Sequence, residues 1–591
     1  MSLACWLNSA WMRTCQREAR AFRRATHTVA QTQEAVLRNL LAANRDTSFG
    51  KLHRFASIAS TDDYQRSVRL STYDAYAPFI EEIAAGRSSV LTADRVELLE
   101  PTSGTTSGEK WIPYTASLRA QFQRAIAAWI ADVMANCPAV RRGRAYWSIS
   151  PAVRRPRRTE GGVPIGFDSD AAYLSRWQQL LVRQLLIMPP GVTSLTSIES
   201  FRYCSLFHLV AAADLALVSI WSPTFLTVLL STLEAWSDRI CDDLRRGRLS
   251  LPDQTAAAAG ELRLGLRQRT GRADELRRIF QHSGPLHEKL HQIWPRLALI
   301  SCWADATAAS YLPALQALFP TVAVQPKGLL STEGCVSFPL WGRCGTALAL
   351  RSHFFEFREW RGQATEETSG ICLAHELEAG RRYEVIVTTG GGLYRYQLHD
   401  IIEVTGFENH CPLIRLVGRA DRVSDLVGEK LGEPHVQEVL SRVFAAHRLA
   451  PRFAMIVPVR GNVPCYRLYL QGHVEQLTAA RTEIARDTDE GLRSNPYYHQ
   501  AVELGQLRPL EVQVLDADFE AVWQVYERVG VAHGRKLGQI KPGVLDSWTG
   551  WPAEFSGCSQ SEGGEVADGG FEDLGSEISE ISDLRSELSD F

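Results

Sequence analysis

The stretch Thr102-Ser103-Gly104-Thr105-Thr106-Ser107-Gly108-Glu109-Lys110 decides how the chain is read. It packs five hydroxyls, two glycines and a lysine into nine residues, between the β-like runs Val96–Glu100 and Trp111–Tyr114. Glycine lets a backbone approach an anion, amides and hydroxyls donate to its oxygens, and Lys110 supplies charge. The pattern predicts a loop that wraps phosphate oxygens between two strands. It is not a Walker A loop, because no Gly-Lys-Ser/Thr occurs and no helix starts there. A plain Ser/Thr/Gly turn is the competing reading.

Outward from that loop the texture is mixed. Thr115 stands as an N-cap before Leu118, Phe122, Ile126, Trp129, Ile130 and Val133 at helical spacing. Upstream, Val29, Val36, Leu37, Leu40 and Leu41 share one face of an amphipathic helix within Thr28–Asn44. Strand runs follow at Leu297–Trp303, Thr346–Phe357 and Tyr383–Thr389. This alternation predicts a large α/β body over residues 1–417. After Gly418 the pattern becomes strands at Arg452–Val457 and Tyr466–Leu470, a helix at Val474–Arg486, a strand at Leu510–Leu515 and a helix at Phe519–Arg528. A small α+β domain over 418–555 is expected.

From Ser556 the composition shifts to Gly, Ser, Asp and Glu. The last 36 residues hold ten acidic side chains and one basic one, a charge of -9 against -3 for the whole chain. Such a segment favours disorder, so 556–591 reads as an acidic tail. Within it Leu574, Ile578, Ile581, Leu584, Leu588 and Phe591 recur every three or four residues and could form a short helix on a protein partner. The other reading is a solvated tail.

At 591 residues, 45% hydrophobic and 22% charged, the chain is an ordinary globular sequence. Its near-neutral charge argues against a protein that coats nucleic acid. Arg141, Arg142, Arg144, Arg154, Arg155, Arg157 and Arg158 form the densest basic cluster, but no base-stacking pattern accompanies them. Twelve scattered cysteines without a CxxC pair read as reduced thiols of a cytoplasmic protein. Leu206–Trp221, the most apolar run, contains His208 and Asp214 and is too short to span a bilayer. Only seven of the 64 basic residues are lysines, and four of them, Lys110, Lys327, Lys430 and Lys541, fall inside the segments that carry chemistry. A compact ammonium reaches one phosphate or carboxylate oxygen where a guanidinium does not fit.

Those segments continue with Pro326-Lys327-Gly328-Leu329-Leu330-Ser331-Thr332-Glu333-Gly334, where Glu333 beside a hydroxyl could hold Mg²⁺. Next comes Tyr394-Arg395-Tyr396-Gln397-Leu398-His399-Asp400, after the Gly390-Gly391-Gly392 turn. An Asp there can accept both hydroxyls of a ribose, and a surface salt bridge is the alternative. Gly418-Arg419-Ala420-Asp421 with Gly428-Glu429-Lys430, and Gln539-Ile540-Lys541-Pro542, would each read as loop or linker if isolated.

Taken in order and spacing, these segments resemble the acyl-adenylate-forming superfamily and, within it, the Gretchen Hagen family of auxin-responsive acyl acid amido synthetases. The resemblance runs from about Val36 to Pro542 and is closer to the bacterial branch. Supporting stretches are Tyr146-Trp147-Ser148-Ile149-Ser150-Pro151, Trp221-Ser222-Pro223-Thr224-Phe225-Leu226 and Phe354-Phe355-Glu356-Phe357. It implies a two-step ligase. A carboxylate attacks the α-phosphate of ATP, pyrophosphate leaves, and an amine such as an amino acid then takes the acyl group to give an amide and AMP. By the same resemblance, Ser103, Gly104, Thr105, Thr106 and Lys110 match the phosphate loop. Thr332 and Glu333 match the nucleotide and Mg²⁺ motif, and Asp400 matches the ribose-binding Asp. Arg419 and Asp421 match the hinge of a mobile C-terminal domain, and Lys541 matches a lysine that serves adenylation. The implied partners are a small carboxylic acid and an amine, with neither nucleic acid nor membrane.

Two positions depart from the pattern. Leu329 stands where the superfamily often has a Tyr that stacks on adenine, and His399 stands where Gly is common. His399 reads as a core or surface histidine, with no base role assigned. A thiol or alcohol acceptor, or a binding protein that kept the fold and lost catalysis, are the alternative readings. Intact Lys110, Glu333, Asp400 and Lys541 argue against the last.

Overall fold

The computed structural model describes residues 3–102, 110–147, 157–166, 184–188, 192, 195, 197–253, 266–360, 370–533, 535, 540 and 542–558. The chain is a large N-terminal domain carrying a smaller C-terminal domain, both of mixed helices and sheets. Four parallel strands, Arg144–Trp147, Leu215–Ser219, Leu299–Cys302 and Ala323–Pro326, lie side by side in that order. The two central strands, Leu215–Ser219 and Leu299–Cys302, are buried throughout, as strands covered on both faces require. Ile198–Ala211, Pro223–Ser231, Leu233–Arg246 and Thr270–Gln281 are among the helices that share its core. The apolar run Leu206–Trp221 is thus the end of a buried helix and a central strand. No described helix is long and apolar enough to cross a membrane.

A second sheet has seven strands in the order Ile371–Leu373, Phe354–Glu359, Arg382–Thr388, Tyr396–Glu408, Cys411–Arg419, Thr346–Leu348 and Ser337–Pro339. Every pairing in it is antiparallel. The single strand expected over Thr346–Phe357 is therefore two, because the chain turns at 349–353 before re-entering the sheet on its far side. Helices Leu3–Ala25, Val29–Asn44 and Ala116–Asn136 contribute to the core around this sheet. The first of them has no counterpart in the sequence reading. Its Trp11, Cys15 and Phe22 are buried.

A smaller sheet pairs Val96–Thr102 with Lys110–Thr115, and the Ser/Thr/Gly segment expected to bind phosphate, residues 103–109, lies between them outside the described residues. Thr115 does cap the next helix: its Oγ1 accepts from the Leu118 amide at 3.1 Å. The Gly390-Gly391-Gly392 turn lies against this helix start. A Cβ on Gly390 would come within 2.8 Å of the Ser117 Cβ, so only glycine fits.

The C-terminal domain is built on the three strands Phe453–Val459, Cys465–Gln471 and Glu511–Val514. The predicted helix Val474–Arg486 is two helices, Val474–Ala479 and Arg481–Leu492, and the last long helix runs Phe519–Ala532. Its other face continues the core of the parallel sheet: Tyr311 packs on Phe519 and Trp523, with ring centroids 6.3 and 5.8 Å apart. Arg202 pairs with Glu527 across this seam, both nearly buried. The folded body extends past the expected boundary at 555. Cys558 is buried and its carbonyl accepts from the Asp516 amide at 2.9 Å. The remainder of the expected tail lies outside the described residues.

Candidate active site

Strand Tyr396–Glu408 does not run evenly beside its neighbour. Glu384 pairs with Ile401 and Ile386 with Gln397, so Val385 alone opposes Leu398, His399 and Asp400. His399 absorbs this bulge with a left-handed φ of 60°. The bulge sets Asp400 directly across from Arg419, the last residue of strand Cys411–Arg419. Asp400 therefore sits inside a strand, 3% exposed.

Arg419 organises the charges here. It donates two bonds of 2.8 Å to the Asp421 carboxylate and lies 3.5 Å from an Asp400 oxygen. Desolvation opposes its charge, but Asp400, Asp421 and Glu333 outweigh that and raise the guanidinium's proton affinity. Burial would raise the Asp421 carboxyl as well; the bidentate Arg419 bond reverses the sign and holds it below the usual range. Glu333 keeps a raised carboxyl. Desolvation dominates there, against weaker opposition from its own amide, Arg419 and Ser331. Glu333 lies in the turn 331–334, closed by the Ser331 amide bonded to the Gly334 carbonyl at 3.0 Å. Thr332 is the preceding residue of that turn.

Lys110 reaches the same neighbourhood through an aromatic pair. Its Nζ lies 5.7 Å from the Tyr73 ring centroid, and the Tyr73 hydroxyl accepts from the Trp111 amide at 2.9 Å. The buried Tyr396 phenol, raised chiefly by desolvation, is raised further by Glu333, Tyr73 and Asp421. Lys110, Tyr73, Tyr396, Glu333, Asp400, Arg419 and Asp421 thus form one electrostatic neighbourhood drawn from five separate segments. Tyr396 stood inside the Tyr394–Asp400 segment without a role assigned, and Tyr73, far from every motif in sequence, carried no signal. Ser103, Gly104, Thr105, Thr106 and Lys541 lie outside the described residues.

Three other expected features resolve as supports. His399 Nδ1 lies 2.9 Å from Glu384, whose other oxygen takes Arg358. Burial pushes Glu384 up, but His399 and Arg358 outweigh it and hold it low. Lys327 is buried, donates to Ser219 Oγ at 2.5 Å and stands 5.1 Å from the Trp221 ring centroid, at the ends of the parallel strands. Leu329 is buried, and its amide donates to Ser337 Oγ at 3.0 Å. Of the arginine cluster, Arg144 opens the first parallel strand and is bidentate to Asp214, and Arg158 bonds the Gly162 carbonyl. All twelve cysteines are free thiols. No three His, Cys, Asp or Glu side chains among the described residues form a ready metal cage. The oxygen donors at Glu333, Asp400 and Asp421 suit ribose hydroxyls and a hard cation that keeps most of its ligands on phosphate and water.

Comparison with known proteins gives a consistent result. A model described as the GH3 family N-terminal domain matches residues 18–324, and the GH3 family central domain matches 346–419. Over 583 residues the chain is 26% identical to a probable indole-3-acetic acid-amido synthetase, GH3.7, of Oryza sativa subsp. japonica, covering 88% of this chain and 90% of that protein. It is 25% identical over 461 residues to the indole-3-acetic acid-amido synthetase GH3.15 of Arabidopsis thaliana, covering 74% of this chain and 76% of the other. The fold is similar to that of a GH3.15 acyl acid amido synthetase solved with 2,4-DB. The TM-score is 0.77 at 19% identity, over 93% of this chain and 96% of that one.

Proposed function

The chain belongs to the GH3 family, and we propose that it is an ATP-dependent acyl acid amido synthetase. It activates a carboxylic acid as the acyl-adenylate and transfers the acyl group to an amine such as an amino acid. One observation carries the reading: the bulge at His399 brings Asp400 opposite Arg419 beside Glu333 and Asp421, so residues from separate motifs surround one point.

Bound ATP supplies the electrophilic α-phosphate, and Mg²⁺ on its phosphates screens their charge. The chain's own residues bind and orient. Asp400 accepts ribose hydroxyls with the lone pairs that Arg419 leaves open. Glu333 offers one carboxylate oxygen to the cation, with Thr332 beside it. Lys110 and the loop of Ser103, Gly104, Thr105 and Thr106 take the phosphates. Lys541, on the C-terminal domain, serves adenylation, and Arg419 with Asp421 forms the hinge by which that domain, 418–555 in the sequence reading, exchanges position between half-reactions. The reactants are small molecules, and a cytoplasmic setting fits the twelve free thiols.

The test is pyrophosphate exchange into ATP across a panel of carboxylic acids. Exchange should require Mg²⁺ and an acid but no amine, because adenylation comes first. Exchange that appears only after an amino acid is added would overturn the ordered mechanism. No exchange with any acid, in protein shown to be folded, would overturn the ligase reading.

A further inference from the structure

The segments that carry the ATP-facing residues are fastened to one helix end. Thr115 closes strand Lys110–Thr115 and caps helix Ala116–Asn136, and its Oγ1 donates to the Gly390 carbonyl at 2.9 Å. Gln121, one and a half turns into that helix and 4% exposed, accepts at Oε1 from the Gly390 amide at 2.8 Å. The same Oε1 lies 3.0 Å from Nδ1 of His353. On its other side, His353 Nε2 accepts from the Cys335 amide at 3.0 Å, two residues beyond Glu333.

These contacts assign the protons. A backbone N–H only donates, so Nε2 of His353 is bare and the neutral ring carries its hydrogen on Nδ1. Nδ1–H then donates to Gln121, whose Oε1 receives two donors at once, which fixes the orientation of the amide. His353 is fully buried. Burial, helped by Arg124, lowers its pKa to about 3, so the ring stays an acceptor at any pH at which the protein would work. The fit is close: a Cβ on Gly334 would stand 2.8 Å from Nε2.

We propose that His353 and Gln121 are positioning residues of the adenylation site, a polar clasp that holds the Glu333 turn and the glycine turn before Asp400 at one fixed separation. The proposal rests on the ligase reading above. Neither residue faces the nucleotide; each acts through backbone amides. The Glu333 turn and the Asp400 strand are more than sixty residues apart in sequence, and a displacement of about 1 Å at such a site costs on the order of a hundredfold in rate. His353→Leu fills similar space but leaves the Cys335 amide without an acceptor. His353→Gln restores an acceptor within reach. Gln121→Met removes the shared oxygen, whereas Gln121→Glu keeps it.

The experiment uses the full chain and the acid that gives the fastest pyrophosphate exchange. It measures KM for ATP·Mg²⁺, KM for the acid, and thermal melts with and without ATP·Mg²⁺. His353→Leu and Gln121→Met should each lower kcat/KM for ATP by about 10- to 100-fold, leave KM for the acid within about twofold, and shrink the ATP-induced melt shift. His353→Gln and Gln121→Glu should recover most of the loss. Folded variants with wild-type kcat/KM for ATP would overturn the clasp. So would a lower melting point with an undiminished ATP shift, which marks a purely structural role. If His353→Leu does not fold, Gln121→Met decides by the same outcomes. Wild-type protein that binds ATP·Mg²⁺ but adenylates no acid would overturn the ligase reading instead, and the ATP-induced melt shift of the variants would still test the clasp.

Discussion

Arg395 and Arg419 both lie in motif segments, and both pair with carboxylates, yet the two pairs do different work. Arg395 is 6% exposed and its partner Glu356 1%. Its Nε meets both Glu356 oxygens at 3.0 and 3.1 Å, while Nη1 donates to the carbonyls of Gln65 and Val68. Arg395 therefore ties the C-terminal end of helix Thr61–Ser67 and the residue after it to the seven-stranded sheet, with its Nε and Nη1 donors committed to protein acceptors. Arg419 is 33% exposed, bonded to Asp421 two residues away and only loosely to Asp400. A ligand can reorganise the second arrangement but not the first. Position within a motif does not separate a scaffold arginine from a site arginine; burial and saturation of donors do.

The contrast can be broken by mutation, and the largest effect belongs to the buried pair. Arg395→Leu strands the Glu356 carboxylate in the core, where breaking such a pair costs about 3–5 kcal/mol. Chemical denaturation should show that loss, and a change below about 1 kcal/mol would make Arg395 a surface-like contact. Asp400→Ala should do the reverse. On the proposed ribose assignment it removes charge-assisted bonds to two ribose hydroxyls, each worth roughly 1.5–3 kcal/mol, so kcat/KM for ATP should fall about a hundredfold or more. Its melting point should stay closer to wild type than that of Arg395→Leu, and full activity would remove the ribose assignment.

Arg419→Lys is the intermediate case. An ammonium cannot bond Asp421 with two parallel donors and still face Asp400. Losing one charge-assisted bond of roughly 1.5 kcal/mol predicts about a tenfold drop in adenylation. Measuring pyrophosphate exchange and amide formation separately would show whether the drop falls unequally on the two half-reactions, as a hinge requires; equal losses would argue for a static site. The smallest effect should come from deleting residues 559–591. Their charge of -9 disfavours approach to ATP, so steady-state rates should stay within about twofold. An inactive but folded deletion would assign the acidic segment a catalytic task.

Much of the local architecture was legible in the residues. Thr115 reads as a cap because a β-region threonine before a 3.6-residue apolar period has few other uses, and its Oγ1 does accept from Leu118. Of the four parallel strands only Leu299–Cys302 was legible, inside the run Leu297–Trp303; Leu215–Ser219 was read only as part of the apolar run Leu206–Trp221. The break at 349–353 was missed: Arg351, Ser352 and His353 interrupt the apolar run there, but so short a polar stretch also fits a continuing strand. Helix Leu3–Ala25 has no counterpart in the sequence reading. Its buried face becomes evident only against the helix Ala116–Asn136 and sheet residues that cover it.

By itself the sequence determined the order of the loops, the oxygen- and lysine-rich chemistry they carry and the family they belong to, because these depend on residue types at short spacing. Tertiary structure alone decided how that chemistry is aimed. The bulge that points Asp400 at Arg419, the seam that joins Trp523 to Tyr311, and the bond from Cys335 to His353 all depend on partners brought together by folding. A side chain's charge state and direction follow from what surrounds it after burial, and most of those surroundings come from distant parts of the chain.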